Sequence, residues 1–385
     1  MSTLPHLDTK VLIATDSFKG SATSAKAAEL IAQGVQRICP QAHVRCVPIA
    51  DGGEGTVDAL LATRGGERRT LQVEGPLGGQ IDVSYGVLSD GSAVMEAASA
   101  AGIALSSCCE EDALQASSFG LGQMILDALD RGVGRIYLGL GGTGTSDGGA
   151  GLAQALGARV LALDGSEVTR GLVGLRDAVR IDLSGLDFRL KVTEIVLLTD
   201  VTNPLYGLDG AIHVYGPQKG LPQDKLGIFD SWMVRYAHAM MESVGKDTSR
   251  MHGAGAAGGL GFCLAALCGA TPKRGIEEVL DAIDFDHMLR GVDLVITGEG
   301  RMDAQTASGK APVGIARRAR SRGIPVIAVV GSRADDLGAV WGQGIDLVIP
   351  ALTEPMTLEQ ACARTVTSLP LAGETAMRAF MLGYH

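Results

Sequence analysis

The sequence predicts an α/β fold made of two different α/β domains, one discontinuous and the other inserted into it. Three observations carry this. The chain has 385 residues, more than one hydrophobic core usually organises, so two domains are expected. Residues 10–64 alternate strand and helix patterns, and so do the residues beyond about 290. Between them the rhythm breaks into short alternating segments and glycine-rich turns. We therefore expect residues 1–74 and 285–385 to form one domain and residues 75–284 a second, with a candidate active-site cleft between them.

Taken in order, residues 10–14 are a short β-branched strand that ends at Asp16-Ser17-Phe18-Lys19-Gly20-Ser21. An alanine-rich helix follows over 24–38, with Ser24 as its expected N-cap. Residues 43–49 form a second strand, ending in Ala50-Asp51-Gly52-Gly53-Glu54-Gly55-Thr56, and a helix runs on to about Arg64. Such a βαβα start predicts parallel strands joined by right-handed crossovers. Residues 70–74 and 80–85 alternate around Gly75-Pro76-Leu77-Gly78-Gly79 and predict a hairpin. A helix over 120–131 and a strand over 135–138 lead into a glycine-rich loop, 139–151. A strand over 194–199 ends at Asp200, helices fit 224–243 and the apolar stretch to Cys268, and strands fit 294–297, 325–330 and 346–349.

Composition narrows the function. Net charge is −10, and no basic stripe with interleaved aromatics appears, so nucleic acid is not an expected partner. No apolar leader is visible at the start. The longest apolar stretch, 256–270, is glycine-broken and too short to span a bilayer, so no membrane partner is expected. Seven cysteines show no CxxC spacing and mostly sit among apolar residues, which reads as reduced, buried thiols in a cytoplasmic protein. The seven histidines are scattered and form no zinc-binding pair. Glycine, at 54 residues, is about twice its usual share and clusters in turns.

The chemistry concentrates in residues 296–310, Ile-Thr-Gly-Glu-Gly-Arg-Met-Asp-Ala-Gln-Thr-Ala-Ser-Gly-Lys, expected as a strand-to-helix loop. Ligands of open α/β sheets bind at the carboxyl ends of strands, where such a loop stands. Arg301 and Lys310 can meet phosphate oxygens, and Glu299 and Asp303 can hold a metal or take a proton. Asp16, Asp51, Glu54, Asp147, Asp200, Glu299 and Asp303 all fall at or just after predicted strand ends. With Lys19, Lys219, Arg301 and Lys310 beside them, they suit Mg²⁺-nucleotide chemistry, in which magnesium bridges phosphates to one or two carboxylates. Phosphoryl transfer further needs placed cations and an acid to accept the hydroxyl proton.

Two G-x-G-x-x-G matches compete. Gly253-Ala254-Gly255-Ala256-Ala257-Gly258 follows a polar segment rather than a strand, which favours close helix packing or amides aimed at a phosphate. Gly139-Leu140-Gly141-Gly142-Thr143-Gly144 follows a strand, and Asp164 ends the next, as in a dinucleotide-binding unit. Asp147 speaks against that, because a carboxylate repels a pyrophosphate unless a cation intervenes. No Walker A or protein-kinase motif is present.

The loops named above resemble, in series and over nearly the whole chain, those of the type 1 glycerate kinases of bacteria. The matching stretches are 16–21, 50–56, 147–151, 200–205, 216–220, 253–259 and 297–301, with Asp303-Ala304-Gln305-Thr306 and Gly309-Lys310. Thr15, Phe119, Thr143-Gly144 and Ser146 depart conservatively from that pattern. The resemblance implies ATP- and Mg²⁺-dependent phosphorylation of D-glycerate to 2-phosphoglycerate, and a flavodoxin-like topology for the discontinuous domain.

The expected site residues follow. Asp200, Asp303, Lys19 and Arg301 are the candidate catalytic set. Arg301 would fork the substrate carboxylate, Asp200 or Asp303 would take the hydroxyl proton, and Lys19 would contact phosphate or substrate. Asp16, Ser17, Asp51, Gly52, Gly53, Glu54, Asn203, Lys219, Gly255, Gly258, Gly298 and Lys310 are expected to bind substrate or phosphate. Asp147, Asp200 and Glu299 are the expected metal ligands. A dinucleotide-dependent oxidoreductase of a small hydroxy acid and a non-catalytic hydroxy-acid sensor are the alternatives. The oligomeric state, a homo-oligomer included, is left open.

Overall fold

The computed structural model describes residues 8–304 and 306–382. Residues 1–7, most of the stretch read for a leader, and Gln305 of the central motif lie outside the described residues. The chain resolves into two compact units. One comprises the residues up to Asp51, Asp58–Arg64 and those from Ile276 onward; the other comprises Gly52–Val57 and Gly65–Gly275.

The first unit is built on five parallel strands: β1 (Lys10–Thr15), β2 (His43–Pro48), β3 (Leu294–Met302), β4 (Val326–Arg333) and β5 (Leu347–Pro350). Their order across the sheet is β5-β4-β3-β1-β2, and every pairing is parallel. This is the flavodoxin-like order 2-1-3-4-5, whose switch point lies between β1 and β3. The central strands are near-continuous apolar runs. Val11, Leu12 and Ile13 of β1 and Leu294, Val295 and Ile296 of β3 are buried, as strands covered by helices on both faces must be. Each such leucine or isoleucine contributes about 1.5–3 kcal/mol by burial.

Helix α1 (Ser24–Ile38) crosses from β1 to β2. Its N-cap is Thr23, whose side chain accepts from the Lys26 amide, rather than the expected Ser24. Ser24 is buried instead. Its Oγ donates to Thr15 O at 2.8 Å and accepts from Ile49 N at 2.8 Å, tying together the ends of β1 and β2. Helices α2 (Ala311–Arg320), α3 (Leu358–Ala363) and α4 (Thr365–Leu382) also belong to the unit, with further short helices beside them. Helices α1 and α4 nearly touch backbones: a Cβ on Gly34 would lie 1.9 Å from Pro370 O, and one on Gly373 would lie 2.3 Å from Ile31 O. That contact sets where the start of α4 faces.

The second unit carries a six-stranded mixed sheet, ordered 271–273, 194–198, 135–139, 93–96, 80–88 and 66–74. The first four strands run parallel, and the last two form antiparallel pairings. Residues 66–74, expected with the first domain, pair along their whole length with 80–88. The turn between them closes through Gly75 N to Gly79 O at 2.6 Å, and a hairpin pinned at its turn does not divide between domains. Residues 276–284, expected in the inserted domain, fall in the first unit. There Arg318 of α2 reaches Glu277 at 2.9 Å, Asp281 at 2.7 Å and Asp286 at 3.0 Å.

Two further expectations change. Cys46, Cys108 and Cys109 are exposed, while Cys263 is buried; all seven cysteines are unpaired. Cys46 lies on β2, an edge strand, where apolar sequence neighbours do not guarantee cover. The strand holding the central motif also runs further than expected. Strand β3 continues to Met302, pairing Arg301 with Ser332, so Glu299 and Arg301 are held by a sheet rather than by a loop. Among the described residues, no helix is long and apolar enough to cross a membrane.

Candidate active site

In the first unit the chemistry gathers at the carboxyl ends of β1, β2 and β3. Strand β1 delivers Asp16, whose amide donates to Gly298 O of β3 at 2.9 Å. Gly298 fits because β4 passes so close that a Cβ there would meet Val329 O at 2.1 Å. Gly298 thus shapes the site from beneath. Strand β2 leads to Asp51, and β3 presents Glu299 and Arg301. The turn after β3 brings Asp303, and Lys310 precedes α2.

These residues line one cavity of about 500 Å³, together with Ser17 and Lys19. Eight of the expected site residues therefore converge: Asp16, Ser17, Lys19, Asp51, Glu299, Arg301, Asp303 and Lys310. Lys19 and Arg301 are exposed, Asp16 and Asp51 half-buried, and Glu299 buried. Arg301 Nε stands 3.9 Å from Asp303 Oδ2, too far for a hydrogen bond and mostly in solvent.

The acids perturb one another. Burial first, then the charges of Asp51 and Glu299, push the Asp16 carboxyl up from 3.8 to about 7, against the Ser17 amide and Lys19. That amide donates to Asp16 Oδ1 at 2.6 Å. Burial also pushes Glu299 up to about 7, with Asp303 and Asp51 adding to it, while Thr306 and Lys310 oppose. Strongly shifted acids in a cavity are a mark of functional sites. Among the described residues no three metal-binding side chains form a ready cage. A magnesium site does not need one, since the ion keeps waters and phosphate oxygens beside one or two carboxylates.

The remaining expected residues belong to the second unit, and several do other work. Asp147 is fully buried. Its Oδ2 accepts from Ser118 N and Oγ, both at 2.9 Å, and from Gly151 N at 3.1 Å, while Oδ1 accepts from Gly149 N at 3.1 Å. Burial raises its pKa and those four donors lower it. So surrounded, Asp147 organises the glycine loop, and its expected role as a metal ligand does not hold. Lys219, expected at a phosphate, is also buried and donates to Thr145 O at 2.7 Å. Burial lowers its pKa to about 8, with Asp147 opposing.

Gly255 and Gly258 are buried, closely packed positions. A Cβ on Gly258 would sit 2.0 Å from Thr145 O, and one on Gly255 would sit 2.3 Å from Pro204 O. The Gly255 amide is engaged with Asn203 O at 3.0 Å. Asn203 itself donates to Asp209 O at 2.8 Å and accepts from Tyr215 Oη at 2.8 Å. Gly52 packs on Leu198, 2.7 Å from where its Cβ would be. Gly53 O accepts from Thr56 Oγ1 at 2.7 Å. Glu54 and Asp200 are exposed on their loops.

The dinucleotide layout fails on topology. The strand before Asp164, Arg159–Leu161, lies in a separate two-stranded antiparallel sheet. Asp164 turns back on Ser166 in an exposed bend, away from the position where a ribose would be read.

Comparison with known proteins settles the family. The family model described as "Glycerate kinase family" matches residues 11–381. The chain belongs to the glycerate kinase family. Two relatives are a glycerate kinase of Halalkalibacterium halodurans, 43% identical over 352 residues, and the glycerate 2-kinase of Escherichia coli K12, 43% identical over 353. Each alignment covers 91% of this chain and 93% of the relative. A crystal structure described as a glycerate kinase 2 from Salmonella typhimurium LT2 superposes with a TM-score of 0.86 at 40% identity. It covers 97% of this chain and 99% of its own.

For a glycerate kinase family member, a phosphotransferase, two features of the cavity were not anticipated from sequence. Thr306 is buried and donates to Glu299 Oε1 at 2.7 Å. It also accepts from Asp303 N at 3.2 Å, so one hydroxyl links two acids. Nothing local in the sequence signals that bond. The other is a wall from the segment after β5 and from α3 and α4, including Leu352, Leu358, Ala361, Thr365 and Leu369. Its residues read as an ordinary amphipathic helix, and only the doubly wound topology brings them to the strand ends.

Proposed function

We propose that the protein transfers the γ-phosphoryl group of ATP to D-glycerate, giving 2-phosphoglycerate, with Mg²⁺ as the metal. The observation that carries this is the single cavity at the β1/β3 switch point, where Asp16, Asp51, Glu299 and Asp303 meet Lys19, Arg301 and Lys310. A small anionic substrate and a polyphosphate both need cations, and a hard metal needs oxygen ligands. Burial raises Asp16 and Glu299 to about 7, and the neighbouring acids, Asp51 for both, add to it; a bound cation would relieve that added repulsion.

In this reading Asp16, Asp51 and Glu299 are the carboxylates available to Mg²⁺. When bound, the ion neutralises charge on the phosphate oxygens. Arg301 forks the glycerate carboxylate, since a guanidinium matches it with two parallel bonds. Lys19 and Lys310 donate to phosphate oxygens. Asp303 accepts the proton of the C2 hydroxyl. The hydroxyl oxygen forms its bond to the γ-phosphorus as the bond to the bridging oxygen breaks, and ADP leaves. The transition state is loose, so placement and electrostatics carry most of the catalysis. Seven unpaired thiols accord with work in a reducing cytoplasm.

The test is a coupled ADP-release assay with Mg-ATP and D-glycerate, the product resolved by phosphorus NMR. We expect 2-phosphoglycerate. The 3-phosphate would reverse how the substrate lies. An inert protein, with L-glycerate and other hydroxy acids also unreactive, would overturn the reading.

A further inference from the structure

We propose that the apolar wall of the first unit's cavity is a subsite for the purine base of the nucleotide, with the triphosphate lying toward the charged end. The inference rests on the kinase reading and assigns one part of the cavity to one substrate. Glycerate has three carbons, and each carries oxygen, so no part of it is complementary to an apolar surface. The cavity nevertheless has one: Leu352, Leu358, Ala361 and Leu369 line it, in the same cavity as Lys19, Arg301 and Lys310.

Size points the same way. About 500 Å³ lies within the range of pockets that enclose drug-sized ligands, well beyond a three-carbon acid. Leu358 adds an independent sign. It lines the cavity and is 80% exposed, so a flat ring seated on the wall would bury apolar surface that otherwise stands in water. Hydroxyl-bearing Ser332 and Ser368 line the same cavity and can meet ring nitrogens or ribose oxygens. The wall carries no charged side chain that would read one exocyclic group, so the subsite accepts purines as a class.

The experiment uses the full chain and the exposed position. In Leu358→Asp we expect the KM for ATP to rise roughly tenfold while the KM for glycerate stays within about twofold. Adenosine, which has no phosphate, should inhibit the wild type competitively against ATP and inhibit Leu358→Asp less. A raised KM for glycerate with that for ATP unchanged, or no change in either, would overturn the assignment. Calorimetry with adenosine alone separates the two readings. Binding that weakens in Leu358→Asp supports the subsite even if no turnover is found, and no binding to the wild type refutes it even if the kinase activity is present.

Discussion

Thr306 Oγ1 donates a 2.7 Å hydrogen bond to Glu299 Oε1, and both side chains are buried. Because the same oxygen accepts from the Asp303 amide, Thr306 holds two acids in one register. Its donation lowers the pKa of Glu299, which burial otherwise raises to about 7. Removing it in Thr306→Val pushes Glu299 further up, so less of it is ionised near neutrality. We expect kcat/KM at pH 6.5 to fall about tenfold, with a smaller loss at pH 8.5 and recovery in Thr306→Ser. An equal loss at both pH values would reduce Thr306 to a packing residue.

Asp303 and Asp200 compete for the base. Asp303 shares a cavity with Lys19, Arg301 and Lys310, whereas Asp200 is exposed in the other unit. We expect Asp303→Asn to lose about 10²- to 10⁴-fold in kcat, the usual worth of a general base, and Asp200→Asn to lose less. The opposite ranking in steady-state kinetics moves the base to Asp200. Wild-type activity in Asp200→Asn removes it from the site.

The raised acids also set a stability slope. Asp16 and Glu299 have ordinary values of 3.8 and 4.5 and stand at about 7 in the folded chain. Between those values the folded state holds more protons than the unfolded one, so stability falls as pH rises toward 7. Asp16→Asn removes one of these penalties. At pH 8 without ligand its Tm should exceed the wild type by roughly 2–4 °C, with activity reduced. A lower Tm than wild type at pH 8 would show that the Asp16 charge is not a burden.

Glycines divide by what surrounds them. Gly258 has φ +68°, and a Cβ would lie 2.0 Å from Thr145 O, whereas Gly227 in Leu226–Val244 has open space around it. Gly258→Ala should cost about 2–4 kcal/mol in urea denaturation. Gly227→Ala should stabilise by about 0.5–1 kcal/mol, since an exposed helical alanine loses less entropy on folding. Equal effects would mean that the 253–259 stretch is loosely packed.

The sequence by itself determined the α/β class, the parallel starting unit, the family and the acids and bases at the strand ends. These are properties of local periodicity and of motifs read in series. The eight residues that share the cavity were legible because strand ends in a parallel sheet all point their loops to one edge. Tertiary structure decided the rest. Asp147, Lys219, Gly255 and Gly258 looked like ligand-binding positions, yet burial turned them inward, and burial depends on what packs from distant parts of the chain. The extension of β3 to Met302 came from pairing with β4, which no local pattern encodes. The bond from Thr306 to Glu299 and the wall from α3 and α4 likewise arise only when distant segments meet, because side-chain contacts and solvent exclusion are properties of the assembled fold rather than of neighbouring residues.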